Sequence, residues 1–200
     1  MSIYKNAVDS IALGIEDYNS ADPRRLVSAT RNLVAGILLL IKHRLAQLSP
    51  AGTDDALIKQ QVLPIPDGAG GVTWKGKGSK TVDVQQMEDR CTSLGVKVDW
   101  KLVKRVVGQR NDIEHYFTTL NQAALRSLLA DSFIVIRDFL RAELGLEPLA
   151  ELGASTWTTL TKVAEVYQKE RDECLVGLKT VTWLCPEVES AVHDWNCPDC

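Results

Sequence analysis

The sequence predicts an all-α protein, a helical bundle of about five to six helices with a small loop or β-hairpin insertion between the second and third helices. Three observations support this class. Apolar residues recur at helical spacing along most of the 200-residue chain. Only residues 49–81 are instead rich in Gly and Pro turn signals. The chain is 45% hydrophobic and 24% charged, which is typical of a folded domain with a buried core.

The first two helices are expected at about residues 2–19 and from residue 22 to about residue 48. Asp22 suits the N-cap of the second helix, and Pro23 suits its first position. The middle of that helix, Leu33–Ile41, is apolar almost all round, which is typical of a central helix. This apolar run is too short to span a membrane. We therefore expect a buried helix and no membrane association.

The insertion at about 49–81 contains the segment GVTWKGKGSKTVDV, for which we expect a hairpin across Lys75–Ser79. Further helices are expected at about 84–95, 98–107, 111–119, 121–145 and 155–184. We divide the chain into a helical domain at 1–150 and a C-terminal helical extension at 151–200. The sum is a helical bundle with an appendage.

Charge and cysteine content limit the classes of function. The net charge of −3 gives no overall basic field that would attract nucleic acid, so an RNA-binding role needs a local patch. One such patch precedes residue 110 and includes Lys101, Lys104 and Arg105; a solvated helix face is the alternative reading. Trp74 with its neighbouring lysines suggests either a single-strand contact or a solubilising hairpin tip. Five cysteines without a secretion signal predict a cytoplasmic location.

The segment RNDIEH, residues 110–115, combines residue types that suit phosphate chemistry. In one regular helix Arg110 and His115 would lie about 140° apart around the axis. Gly108 could end one helix, and Asn111 with Glu114 has the spacing of a capping box that begins the next. We expect this break to turn Arg110 and His115 towards one cavity. On the alternative reading, both are ordinary residues on a helix surface.

The same segment resembles the signature of the HEPN superfamily (higher eukaryotes and prokaryotes nucleotide-binding), in which Arg is followed after four to six residues by His. A long apolar helix, RNLVAGILLLIKHRL, precedes it, and an amphipathic helix, ALRSLLADSFIVIRDFL, follows it, as in that family. The resemblance implies a homodimer with the motif near the interface and, in active members, a ribonuclease without a catalytic cofactor. Arg110 would bind phosphate, His115 would act as acid and base, and Asn111 would orient the phosphate or His115.

The resemblance also implies RNA as the substrate, a role in phage defence or stress and an inhibitory protein partner. Toxin members of the family often have Tyr two residues after the His, where this chain has Phe117, so the chain departs from the toxin–antitoxin subgroup at this position. Two other functions remain open: an inactive HEPN-like RNA-binding or protein-interaction module, and a nucleotide-binding regulatory domain.

The final residues CPDC have the spacing of a zinc knuckle, although a tetrahedral site needs four ligands. We expect a truncated site whose second pair lies in a longer chain. Alternatively, Cys185 and His193 could join Cys197 and Cys200 to bind zinc.

Overall fold

The computed structural model describes residues 2–22, 24–53, 55–116, 122–163, 172–173 and 175–183, without the side chains of 114–116 and 122–126. These residues are mostly helical, with a two-stranded antiparallel sheet between the second and third α-helices, consistent with the predicted all-α class. The elements are α1 (Ile3–Tyr18), α2 (Arg25–Leu48), a 3-10 helix (Ala56–Ile58), β1 (Lys59–Pro66), β2 (Val72–Thr81), α3 (Val84–Ser93), α4 (Trp100–Tyr116), α5 (Gln122–Leu144) and α6 (Pro148–Lys162).

Helices α1 and α2 approach each other closely because a glycine on each leaves room for the other backbone. A Cβ atom added to Gly36 would lie 2.5 Å from Cγ1 of Ile11 and 3.1 Å from the carbonyl oxygen of Ala7. A Cβ atom on Gly14 would lie 3.1 Å from the backbone nitrogen of Leu33. Any side chain at these two positions would therefore force the helices apart.

Helix α2 is the centre of the core, as its sequence predicts. It contacts α1, α3, α4 and α5. By length and composition alone it could cross a membrane, since its most apolar window has a mean hydropathy of 1.3, but the central helix of a soluble core has the same properties. Its apolar side chains are buried against the neighbouring helices: Leu33, Val34, Ile37, Leu40, Ile41 and Leu45.

The end of α1 is tied to the start of α2 through the buried carboxylate of Asp17, which is only 5% exposed. It accepts hydrogen bonds from Arg25 Nη1 at 2.5 Å, from Asn32 Nδ2 at 3.1 Å and from the Ser28 hydroxyl. Burial by itself would raise the pKa of Asp17. The hydrogen bonds from Ser28, Arg25 and Asn32, with the charge of Arg25, outweigh that effect and hold the pKa below its ordinary value.

The lowered pKa of Asp17 predicts a loss of stability in acid. Its contribution is complete above the unfolded-state pKa, near 3.9, and is lost as pH falls through the lower folded-state value. When the pH is lowered from about 5 to about 2, we expect the free energy of unfolding to decrease less in Asp17→Asn than in the unchanged protein. Urea unfolding at a series of pH values measures this; parallel curves for the two proteins would contradict it.

The predicted hairpin exists, but the expected position of its turn is wrong. Lys75–Ser79 lies within β2, and the chain reverses at Asp67–Gly71. The Asp67 carboxylate accepts hydrogen bonds from the backbone N–H groups of Ala69 and Gly71, each at 2.8 Å. Gly68 and Gly70 have φ values of 78° and 90°, a left-handed conformation that costs glycine little. The turn therefore forms at the segment DGAGG.

The prediction of one helix over 155–184 is also wrong. Helix α6 begins earlier, at Pro148, is kinked at Gly153 (φ 77°) and ends at Lys162, because Val163 has an extended backbone. Among the residues described beyond it, 172–173 and 175–178 are helical. The α6 side chain of Trp157 packs on Phe133 of α5, with ring centroids 5.0 Å apart, so the start of the predicted C-terminal extension is part of the core.

Candidate functional site

Helix α4 runs without a break through the RNDIEH segment, so the expected helix end at Gly108 is wrong. The helix begins where the carboxylate of Asp99 accepts a hydrogen bond from the backbone N–H of Leu102 at 3.0 Å. It continues to Tyr116, and both Asn111 and Glu114 lie inside it instead of capping a new helix. Gly108 stays helical because the apolar positions before and after it form one continuous stripe.

The unbroken helix separates Arg110 from position 115. Arg110 lies on the same side of α4 as the buried Val103 and Val106, and its side chain is half-buried. Position 115 is about 140° away around the axis, on the same side as the exposed Asn111. The His115 side chain lies outside the described part of the chain. A single copy of α4 therefore presents Arg110 and position 115 on different sides.

Two of the three predicted RNA-binding cations are paired with carboxylates of neighbouring helices. Lys104 Nζ lies 2.6 Å from a carboxylate oxygen of Glu88 on α3. The guanidinium of Arg105 forms an ion pair with Asp131 on α5, whose side chain is only 1% exposed. Lys101 is exposed near the start of α4. These ion pairs reduce the local positive charge that the sequence suggests and give Arg105 a structural role.

His43 of α2 is half-buried and forms an aromatic contact. Its ring lies on Tyr4 of α1, with centroids 5.1 Å apart. Burial, followed by the positive charge of Arg44, lowers the pKa of His43 below its ordinary value. The imidazole is therefore neutral at physiological pH. The Tyr4 hydroxyl in turn donates a hydrogen bond to Glu151 of α6, which links three helices.

A concave groove of about 500 Å³ lies at the start of α4, between the α3–α4 loop and α5. Its walls are mainly apolar, from Val98, Trp100 and Phe139, and Lys97 and Asp138 also line it. Its Trp100 lies ten helical steps before Arg110, a distance of about 15 Å along the axis. The groove therefore does not coincide with the RNDIEH segment, and the sequence did not predict it, because its walls come from segments far apart in the chain.

The proposed zinc ligands Cys185, His193, Cys197 and Cys200 lie outside the described residues. Within the part of the chain that the structure covers, no group of three or more His, Cys, Asp or Glu side chains could hold a metal ion. Comparison with models of protein families, with characterised proteins and with solved structures gives no match. The family assignment therefore stays a prediction from the motif.

Proposed function

We propose that this protein is a metal-independent endoribonuclease of HEPN type that uses Arg110, Asn111 and His115. One observation carries the proposal: the RNDIEH segment lies at the C-terminal end of a single helix, where Arg110 is half-exposed and Asn111 is exposed. Solvent can thus reach both polar groups described for the motif. A role in phage defence or stress, a cytoplasmic location and control by an inhibitory protein are further parts of this proposal.

The residue types suit cleavage of RNA by its own 2′-hydroxyl. His115 removes the proton from the 2′-oxygen, which attacks the adjacent phosphorus, while the bond from phosphorus to the 5′-oxygen breaks and that oxygen takes up a proton. Arg110 binds two phosphate oxygens and stabilises the negative charge of the transition state. The products carry a 2′,3′-cyclic phosphate and a free 5′-hydroxyl. DNA lacks the attacking hydroxyl and stays intact.

A homodimer reconciles this chemistry with the geometry of α4. In one chain Arg110 and position 115 are on different sides of the helix. If two copies meet through the ends of α4 about a twofold axis, Arg110 of one copy can face the partner subunit's His115. Each dimer would then hold two equivalent composite sites. In the same arrangement Asn111 orients the bound phosphate.

The unbroken α4 also favours a second candidate function, an inactive HEPN-like module that binds RNA or another protein. Without a partner that completes the site, Arg110 can still hold a phosphate oxygen, but the general base is missing from the same side. This module would bind RNA and leave it uncut.

The deciding experiment incubates the purified protein with single-stranded RNA and single-stranded DNA in the presence of a metal chelator. Cleavage of RNA alone is expected. His115→Ala should slow it by about 10²- to 10⁴-fold, the usual contribution of general acid–base catalysis. Arg110→Ala should also abolish most activity, whereas Arg24→Ala, at an arginine whose side chain is 89% exposed, serves as the matched control. Equal activity in all preparations would reveal a contaminating nuclease and overturn the proposal.

Mixing two inactive variants tests whether the site is shared between chains. In a dimer of Arg110→Ala with His115→Ala, one composite site keeps both groups and the other loses both. Half of the dimers in an equal mixture are of this kind, so up to about a quarter of the unchanged rate should return. Unfolding and refolding the two variants together allows the chains to exchange. No recovery, with activity present in the unchanged protein, would place both groups of a site in one chain.

A further inference from the structure

The β1–β2 hairpin carries exposed aromatic and cationic side chains that the proposed active site does not use. Trp74 is 55% exposed and the adjacent Val72 is 64% exposed, values far above those of the core. The two strands contain four lysines, Lys59, Lys75, Lys77 and Lys80, and no acidic residue. This local positive charge contrasts with the net charge of −3 for the chain.

The base of the hairpin is fixed to the helical body. Lys42 Nζ of α2 donates a hydrogen bond to the Thr81 hydroxyl at 2.9 Å, and the N–H of Val82 donates to the carbonyl of Ile58 at 3.0 Å. The N–H of Gly76 donates to the carbonyl of Thr53 at 2.7 Å. The exposed apolar residues lie beyond these contacts, towards the turn. The body thus holds the hairpin in place while its outer half stays in solvent.

The edges of the hairpin are poorly suited to the addition of a further strand. Pro64 and Pro66 have no N–H group, so the outer edge of β1 lacks two donors that an added strand would need. On β2, the N–H of Gly76 is already bonded to Thr53. These features weaken the backbone hydrogen bonding available to an added strand, which favours a partner that binds the side chains of the hairpin.

We propose that the β1–β2 hairpin is a binding arm for single-stranded nucleic acid. Successive side chains of a strand point to opposite faces, so Trp74 lies on one face of β2 and both Lys75 and Lys77 lie on the other. A single strand along this edge of the hairpin can stack a base on Trp74 and place its phosphates within reach of the long lysine side chains. Charge complementarity favours this polyanion over a neutral apolar partner.

This inference goes beyond the proposed ribonuclease function, because stacking and phosphate contact do not need the 2′-hydroxyl. The arm should bind RNA and DNA alike, although only RNA is cleaved. An experiment can therefore contradict nucleic-acid binding by the hairpin without contradicting RNA cleavage, and the reverse. Loss of the hairpin contacts would weaken the capture of long strands and leave the chemistry at Arg110 and His115 unchanged.

The test measures fluorescence anisotropy of a labelled single-stranded oligonucleotide of roughly 12 nucleotides, within the site sizes of known single-strand binders. The His115→Ala variant of the 200-residue chain, which should not cut, is used for RNA and DNA. Adding Trp74→Ala should weaken binding by about tenfold or more through loss of base stacking, and Trp74→Phe should retain most of the affinity. Replacing both Lys75 and Lys77 by alanine should reduce the slope of log affinity against log salt concentration by about 1.4.

Two matched controls test whether the loss of any exposed apolar or cationic side chain would weaken binding. Leu13→Ala removes an apolar residue of α1 that is 51% exposed, and Lys5→Ala removes a lysine whose side chain is 63% exposed; neither should change binding. Affinity unchanged in Trp74→Ala would overturn the proposal, as would an equal loss in Leu13→Ala. Vesicles of phosphatidylcholine and phosphatidylglycerol form a separate arm. If Trp74→Ala abolishes vesicle binding alone, the hairpin is a membrane contact and the proposal fails.

Discussion

Replacing Gly36 by valine is expected to lower the free energy of unfolding by about 3 kcal/mol or more, because there is no space for a side chain between α1 and α2. The first added carbon alone would lie 2.5 Å from Ile11 Cγ1 and 3.1 Å from the carbonyl oxygen of Ala7. The side chain of Ile11 is fully buried and cannot move into solvent, and the Ala7 contact is with backbone. Urea unfolding followed by circular dichroism measures the change.

Gly108→Ala is the matched control for that substitution. Gly108 also lies inside a helix, but an added Cβ would meet no atom within 4 Å. Alanine has the higher helix propensity, so we expect a gain of up to about 1 kcal/mol. This control also tests whether α4 is continuous. A clear loss of stability in Gly108→Ala would mean that the helix is interrupted there after all.

Arg105→Ala is expected to destabilise the protein by about 3 kcal/mol, because it removes a positive partner from a carboxylate buried between α4 and α5. The Asp131 side chain is only 1% exposed, whereas that of Arg105 is 46% exposed. Loss of the exposed member therefore removes an ion pair from the buried carboxylate. The free energy of unfolding in urea, compared with that of Lys101→Ala, measures the effect. The latter residue is exposed, and we expect little change there.

A double variant separates the buried charge from the packing of the arginine. Arg105→Ala combined with Asp131→Asn has no buried charge, so it should be more stable than Arg105→Ala alone. Strictly additive losses would contradict this interpretation. The result also bears on RNA binding. Suppose that Arg105→Ala is unstable and binds RNA weakly, and that the double variant regains stability but still binds RNA weakly. Arg105 then has two roles: it pairs with Asp131 and it also contacts RNA.

Features fixed by local pattern could be predicted from the sequence. The all-round apolar middle of α2 predicts a central helix, and the turn signals between α2 and α3 predict an insertion there. The exact turn could not be identified, because PDGAGG and KGKGS are both rich in turn formers. Only the pairing of β1 with β2 in the folded protein shows that the turn forms in PDGAGG.

The candidate site was harder to predict, because tertiary packing overrides local signals. Gly108 and Asn111 resemble the end of one helix and the start of another, yet the stripe from Val103 to Ile113 keeps α4 intact. The carboxylates that pair with Lys104 and Arg105 come from α3 and α5, and nothing in the local sequence indicates them. Two of the three cations in the predicted basic patch therefore also form ion pairs within the fold.

The central position of α2 has a consequence for how the chain folds as it is synthesised. Helix α1 can cover one side of α2 as soon as both have left the ribosome, since they are neighbours in sequence. The side that packs on α5 stays uncovered until residues 49–144 have been made, which at ordinary rates of translation takes roughly 5 to 20 seconds. During that interval the nascent chain exposes an apolar face of α2 to solvent and to chaperones.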